Sequence, residues 1–258
     1  MKILIFCVFL LTGTLSYAQY WFGPKIGGHR IDHVYQDNEY KQDTVRVIPN
    51  HNFQGGFVFH YSSDDRYSFR TEIVYERIGI VVKNRDVTPI HSRMTNHFIS
   101  LPLQLRMSFN QGSTHYYING GPKISYWVSG NGYIDLDEFL DDSIDPINYN
   151  IVFKESKKVR ENQLALPGAN RFQYALTVGA GSYVDLAVGG RLEIDFRYSF
   201  GHSNMGFNRN PDVTFSEYYD NLTYRNFMLS VSVAYLMEYN AQLKRKGAST
   251  NTQGKSRR

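Results

Sequence analysis

Two chemically opposite faces alternate along Arg191-Leu192-Glu193-Ile194-Asp195-Phe196-Arg197-Tyr198-Ser199-Phe200. The odd-numbered positions carry charged side chains and one serine, whereas the even-numbered positions are aliphatic or aromatic. Because successive side chains of a β-strand point to opposite faces, the stretch predicts a strand with one ionised face and one apolar face. The apolar face is the more continuous one, which favours contact with lipid outside a barrel and charges inside it.

The same alternation recurs in seven other segments. They lie at about 19–29, 52–61, 67–76, 99–109, 115–128, 171–186 and 223–237. Pro102, within the fourth segment along the chain, removes a ladder hydrogen bond and predicts a β-bulge there. Together the eight segments predict an all-β fold, an eight-stranded antiparallel up-and-down transmembrane β-barrel.

The predicted connections alternate between short and long. Short connections are expected at 62–66, 110–114 and 187–190, and long ones at about 30–51, 83–93, 129–170 and 201–222. Barrels of bacterial outer membranes have this asymmetry, with short periplasmic turns and long external loops. Since the strand number is even, both mature termini are expected on the periplasmic side.

The composition is that of an ordinary domain, apart from its aromatic residues. The 258 residues are 42% hydrophobic and 20% charged, which is typical of a single globular unit. The 20 Tyr and 17 Phe are more informative, because aromatic rings prefer the two interfaces between a membrane and water. They are consistent with a sheet whose rims lie at those interfaces.

Residues 1–18 are predicted to be a signal peptide that is cleaved after Ala18. Lys2 precedes the apolar run 3–11, and Ser16-Tyr17-Ala18 has the small-x-small pattern of a cleavage site. The only cysteine, Cys7, lies within this segment, so the mature chain is expected to have no disulfide and no cysteine-based metal site. Export also argues against nucleic acid as a partner.

The predicted barrel occupies residues 19–239, and a basic, disordered periplasmic tail is expected at 240–258. The cations of this tail are Lys244, Arg245, Lys246, Lys255, Arg257 and Arg258. The tail, rather than the barrel, accounts for the formal net charge of +4. Two interpretations remain: contact with anionic lipid headgroups or an acidic periplasmic partner, or a tail that only increases solubility.

Ten ionisable side chains are predicted to point into the barrel. They are Lys25, Arg70, Glu72, Glu76, Arg106, Lys123, Arg191, Glu193, Asp195 and Arg197. Eight strands enclose an interior that side chains can fill, which argues against a wide pore. The mixed charges predict either a salt-bridged plug that closes the barrel or a path for protons or ions.

Two other sets of residues are candidate sites. One is an acidic stretch in the longest loop, formed by Asp135, Asp137, Glu138, Asp141, Asp142 and Asp145. Its oxygens could bind Ca²⁺, but it lacks the spacing of a known calcium loop, so a solvated acidic loop is favoured. The other combines His202-Ser203 with Asp43 and Asp65, which no sequence spacing joins into a catalytic arrangement. We therefore predict no catalytic, cofactor or metal site.

Several motifs resemble those of the PorT-type outer-membrane β-barrel family of Bacteroidota. They are Tyr17-Ala18-Gln19, Ile99-Ser100-Leu101-Pro102-Leu103-Gln104-Leu105, Tyr117-Ile118-Asn119-Gly120-Gly121-Pro122-Lys123 and Arg197-Tyr198-Ser199-Phe200-Gly201. The resemblance covers about residues 20–237 and implies an outer-membrane barrel. Some members of that family assist type IX protein secretion or gliding, and the family has no catalytic residues to carry over.

Three classes of function remain. The first is a non-enzymatic outer-membrane barrel that serves as a scaffold, a secretion accessory or a surface-binding protein; aromatic residues of the long loops favour it, namely Tyr133, Phe139, Tyr149 and Phe153. The second is a membrane enzyme with an active site at the barrel rim. The third is a soluble lipocalin-like barrel, which the charged interior disfavours. The expected partners are outer-membrane lipid and periplasmic or secretion-machinery proteins; the oligomeric state is left open.

Overall fold

The computed structural model contains a closed antiparallel ring of eight strands. It describes residues 19–35, 45–48, 51–62, 66–84, 91–111, 114–135, 147–153, 162–166, 168–187, 189–206, 212–215, 218–221 and 224–239. Within these ranges there is no helix that is long and apolar enough to cross a membrane. The fold of the described residues is all-β, as the alternation predicts.

The ring consists of eight of the thirteen strands. They are β1 (Gln19–Tyr35), β3 (His51–Ser62), β4 (Tyr67–Asn84), β5 (His91–Gln111), β6 (Thr114–Asp135), β9 (Phe172–Asp185), β10 (Arg191–Gly201) and β13 (Tyr224–Tyr239). The other five are β2 (Val45–Ile48), β7 (Ile147–Val152), β8 (Gln163–Ala165), β11 (Asp212–Phe215) and β12 (Tyr218–Asn221). Each ring strand pairs with the next, and β1 pairs with β13 from Tyr20↔Tyr239 to Tyr35↔Tyr224, which closes the barrel.

The predicted inward and outward faces are confirmed. On β5, Ile99 and Phe109 are exposed while Ser100 and Gln104 are buried. The outward apolar residues of this strand run from Ile99 to Phe109, which is roughly 33 Å at about 3.3 Å per residue. At a tilt of about 40°, that length covers ~25 Å of membrane, the height of the apolar band of outer-membrane barrels.

The two ends of the barrel differ, as the connection lengths predict. The end that we call the turn end holds Gln19, Tyr239 and the three short connections, which follow β3, β5 and β9. The opposite end, the loop end, holds the long connections and the additional strands. The number of ring strands, its being even and the asymmetry of the connections therefore agree with what the sequence predicts.

The loop end carries a structure that the sequence did not predict. β4, β5 and β6 extend beyond the apolar band, β2 pairs with β4, β7 pairs with β6, and β8 adds to β7. We call these extensions together with β2, β7 and β8 the head. Its core contains Ile31, Ile78, Ile80, Met94, Phe98, Trp127, Tyr149, Ile151, Leu164, Leu166, Met205, Tyr224 and Met228. Apolar side chains thus replace charged ones inside the ring at this end.

Two predicted connections are shorter than expected, and one predicted irregularity is wrong. The connection expected at 83–93 is narrower, because β4 continues to Asn84 and β5 begins at His91. The connection expected at 129–170 contains the end of β6 as well as β7 and β8. Pro102 marks no bulge: the pairing of β5 with β6 keeps one register on both sides of it, and the shift lies between His97 and Phe98.

Candidate functional site

Glycines on β9 make room for the charged side chains in the barrel interior. Gly179 lies opposite Arg197, and Gly181 lies opposite Asp195. A Cβ atom at Gly179 would approach Arg197 Cγ to 2.8 Å, and one at Gly181 would approach the Tyr117 hydroxyl to 2.4 Å. The small inward residues of β9 therefore accommodate long side chains from neighbouring strands, as the sequence predicts.

All ten ionisable residues predicted to face inward are buried, with 0–8% of their surface exposed. The structure divides them into one cluster and two separate pairs. The cluster, which we call the lumen cluster, consists of Lys25, Arg70, Glu72, Arg106, Glu193, Asp195 and Arg197. The separate pairs are Lys123 with Glu76, and Arg191 with Asp185. Asp185 was not among the predicted charges.

Glu72 is the centre of the lumen cluster. Its carboxylate accepts hydrogen bonds from Lys25 Nζ at 2.7 Å and from Arg70 Nε at 2.6 Å. Arg197 donates to both carboxylate oxygens, at 2.6 and 2.9 Å. One buried anion on β4 therefore ties together cations from β1, β4 and β10, and these charge-assisted bonds offset part of the cost of burying the charges.

Glu193 forms the second centre. Arg106 holds it with two parallel hydrogen bonds, at 2.9 and 3.0 Å, the geometry in which a guanidinium matches a carboxylate best. Arg70 also donates to Glu193 and so joins the two centres across the barrel. The guanidinium of Arg106 additionally lies 3.6 Å from the ring centroid of Tyr117.

Asp195 is the third anion of the lumen cluster. Arg197 Nε donates to one of its oxygens at 2.8 Å. Its other oxygen accepts from the Tyr117 hydroxyl at 2.9 Å and from Asn119 Nδ2 at 3.1 Å. Neutral donors on β6 therefore complete the hydrogen bonding of this carboxylate.

The two separate pairs lie on either side of the lumen cluster. Towards the loop end, Lys123 Nζ donates to Glu76 at 2.7 Å, and Ser100 Oγ donates to the same carboxylate at 2.6 Å. At the turn end, Arg191 Nε donates to Asp185 at 2.9 Å.

The interior is filled at the height of the lumen cluster. A cavity beside Lys25 and Glu72 has a volume of about 20 Å³, and one between Glu76 and the head has about 40 Å³. A single water needs a cavity of roughly 10–15 Å³, so these spaces hold only a few waters at most. This geometry favours the salt-bridged plug over an ion path.

The other candidate residues do not come together as a site within the described ranges. No group of three or more metal-ligating side chains is present among them. Ser203 Oγ donates to Gln173 Oε1 at 2.7 Å rather than to a histidine, and the exposed His202 stacks against Tyr174. Asp43, Asp65, the acidic residues Asp137–Asp145 and the tail at 240–258 lie outside the described residues.

The loop aromatics that favoured an external binding surface are only partly available. Tyr149 is buried in the head, and Phe153 packs edge-on against Trp127 with 4.9 Å between ring centroids. Tyr133 is half-buried, and Phe139 lies outside the described residues. Two of the four aromatics therefore stabilise the head instead of offering a contact surface.

Sequence reasoning missed a cavity at the turn end. Its volume is about 510 Å³, and its lining includes Trp21, His60, Tyr183 and Arg191. The guanidinium of Arg191 lies 4.2 Å from the Trp21 ring centroid and 3.8 Å from that of Tyr183. The alternation along 52–61 places His60 on the inward face, but nothing in it indicates an open space beside this residue.

Solved structures with a similar fold include three outer-membrane barrels. OprG from Pseudomonas aeruginosa has a TM-score of 0.48 at 10% identity, with 87% of this chain and 97% of that chain covered. Neisserial surface protein A has a TM-score of 0.37 at 11% identity, with 85% of this chain and 97% of that chain covered. Ail of Yersinia pestis, solved with the heparin analogue sucrose octasulfate, has a TM-score of 0.35 at 10% identity, covering 84% and 99%. No curated protein sequence matches the chain.

The exposed apolar exterior and ionised interior are the reverse of a soluble lipocalin-like barrel, which excludes that alternative. A family model described as an outer membrane protein beta-barrel domain matches residues 17–206, which is most of the chain. The protein therefore belongs to the outer membrane protein beta-barrel family and is a protein of the outer membrane.

Proposed function

We propose that the protein is a non-enzymatic barrel that anchors its head at the membrane surface and does not conduct solutes. The observation that carries this proposal is the lumen cluster, in which Glu72, Glu193 and Asp195 join side chains from five strands across the interior. Strands that are not adjacent to its own hold each of these carboxylates with two or more hydrogen bonds. A solute would have to displace several buried ion pairs at once to pass.

The head supports a scaffold or binding role rather than a pore. Its core of large apolar side chains fills the loop end of the ring. Because β4, β5 and β6 continue past the apolar band, the part of this core that lies on their extensions and on β7 and β8 is beyond the height that lipid covers. The head is thus the part of the molecule available to a partner protein, either as a surface-binding element or as an accessory of protein secretion.

The secretion role rests on the resemblance to the PorT-type family of Bacteroidota. It is the narrower form of the same proposal, since a sealed barrel with a structured head is what an accessory protein in the membrane needs. The proposed topology follows from the sequence: a signal peptide cleaved after Ala18 starts the mature chain in the periplasm, and eight strands return it there.

The proposal is tested by reconstituting the purified protein into a planar lipid bilayer. We expect no steady conductance above the bare membrane, because the lumen cluster closes the barrel. The double variant Glu72→Ala/Arg197→Ala removes two large side chains from the plug, and brief conductance events are expected from it if it folds. Steady conductance of the wild-type protein would contradict a sealed barrel.

A further inference from the structure

The cavity at the turn end contains polar groups that the protein itself does not satisfy. Trp21 Nε1, both ring nitrogens of His60 and Ser68 Oγ have no hydrogen-bond partner among the described residues. All three side chains line the cavity, and Trp21 and His60 are only 7% and 4% exposed. A buried donor without a partner is energetically unfavourable, so several groups of this kind in one cavity point to a ligand.

Unsatisfied donors continue directly beneath the cavity. Arg70 has a terminal nitrogen, and Arg106 its Nε, without a partner among the described residues. The strand register places these groups side by side: Trp21 is opposite His60, and His60 is opposite Arg70. The next row pairs Ser68 with Arg106. The five residues therefore form one patch across β1, β3, β4 and β5, which we call the donor patch.

The buried charge beneath the donor patch is positive by one, whereas the lining of the cavity has two acids against one arginine. The lumen cluster beneath it has four cations, Lys25, Arg70, Arg106 and Arg197, against three carboxylates. Arg191 is also part of the lining, at the rim of the cavity. Only its Nε donates to Asp185. Asp185 and Glu238 are the acids of the lining, and both are exposed at the opening.

We propose that the turn-end cavity binds a small organic oxyanion, whose carboxylate or phosphate head accepts hydrogen bonds from the three members of the donor patch that line the cavity, Trp21, His60 and Ser68. An oxyanion offers several acceptor lone pairs and one or two negative charges, which matches unpaired N–H and O–H groups above a buried cluster whose net charge is +1. A volume of about 510 Å³ is within the range of small-ligand sites, so the cavity holds more than an inorganic ion. The ligand enters from the turn end, because the lumen cluster blocks the other side.

The two tryptophans allow a direct test. Trp21 lines the cavity and Trp127 is buried in the head, so the Trp127→Phe variant reports on the cavity alone. The folded full chain in detergent is titrated with sodium acetate or sodium phosphate, at ionic strength held constant with sodium chloride. We expect a saturable change in Trp21 emission with at least one of these probes and none with chloride alone. The stronger probe distinguishes a carboxylate ligand from a phosphate ligand.

The location is tested with matched serine variants. Ser68→Ala removes a donor of the patch and is expected to weaken binding about tenfold, the loss of one charge-assisted hydrogen bond. Ser230→Ala makes the same change at a buried serine of β13 that does not line the cavity, and it should leave affinity unchanged. Gel mobility before and after boiling verifies that each variant has folded.

Two results would overturn the proposal. One is the absence of a saturable emission change with either probe, which would mean that the donors bind only water. The other is equal weakening by Ser68→Ala and Ser230→Ala, which would place the binding elsewhere. Calorimetric titration of the wild-type protein and of the Trp21→Phe variant with the same probe provides an independent measurement. The variant keeps an aromatic ring but lacks the N–H donor, and its affinity is expected to fall about tenfold, as for Ser68→Ala. Neither result depends on whether the barrel conducts.

Discussion

Each buried charge of the lumen cluster is tolerable only because its partners are in place. Taking an ion out of water costs several kcal/mol, and the cost is recovered only with good geometry and further hydrogen bonds. Glu72 meets that condition with three cations, and Asp195 meets it with Arg197, Tyr117 and Asn119. Removing one partner leaves the others buried and unpaired, so a single substitution here acts on several residues.

The Glu72→Gln variant is predicted to be destabilised by about 3–5 kcal/mol, because it leaves Lys25, Arg70 and Arg197 with one fewer anion in the interior. The matched control is Asp185→Asn, which also removes a carboxylate from an arginine but at a side chain that is 51% exposed. We expect that change to cost less than about 1 kcal/mol. Urea unfolding in lipid vesicles measures both. Equal, small effects would show that the lumen cluster is solvated rather than buried.

The elements show where the alternation is informative and where it is not. Within the apolar band, one face meets lipid and the other meets charges, so the ten inward residues could be predicted from their positions alone. In the head the alternation has the opposite sense, with apolar side chains inside and polar ones outside: Tyr149 and Ile151 are buried, whereas Asn150 between them is exposed. A weaker signal remains: Ile78 and Ile80 continue the inward positions of Glu72 and Glu76, which indicates that β4 and its enclosed core extend further.

Short strands such as β7 and β8 could not be predicted in the same way. β7 has six residues, and β8 has three. They are held by tertiary contacts, since Ile151 lies opposite Gly130 of β6 and joins the core of the head. The donor patch could not be predicted from the sequence either. Its residues are brought together by the register of four strands, which the pattern within one strand does not determine.

The Ile151→Ala variant is predicted to loosen β7 from the head. Loss of a buried isoleucine costs about 2–5 kcal/mol, and β7 has few other buried side chains to hold it. Limited proteolysis of the purified protein in detergent should therefore cut near residues 147–153 at least about tenfold faster than in wild type. Asn150→Ala changes the exposed neighbour on the same strand and should leave the rate unchanged. Equal cutting of wild type and Ile151→Ala would mean that β7 does not depend on this core.

At the scale of the whole molecule, closure and filling act together. The pairing of β1 with β13 satisfies the backbone groups of the first and last strands, which no open sheet could do inside a membrane. The lumen cluster then fills the closed ring, and the head covers its loop end. The turn end, with the donor patch at its base, is therefore the open end of the barrel among the described residues.

The sidedness of the barrel is predicted from three observations that are independent of one another. The predicted signal peptide places the mature N-terminus in the periplasm, eight ring strands return β13 to the same side, and the three short turns lie there too. An epitope inserted between β6 and β7, at residues 136–146, should bind antibody on intact cells, whereas an epitope after Arg258 should bind only once the outer membrane is permeabilised. The control is a periplasmic marker protein that stays unlabelled on intact cells. If the epitope after Arg258 is labelled on intact cells and the one at 136–146 is not, the orientation is reversed. The turn-end cavity would then open to the medium, and its oxyanion would come from outside the cell.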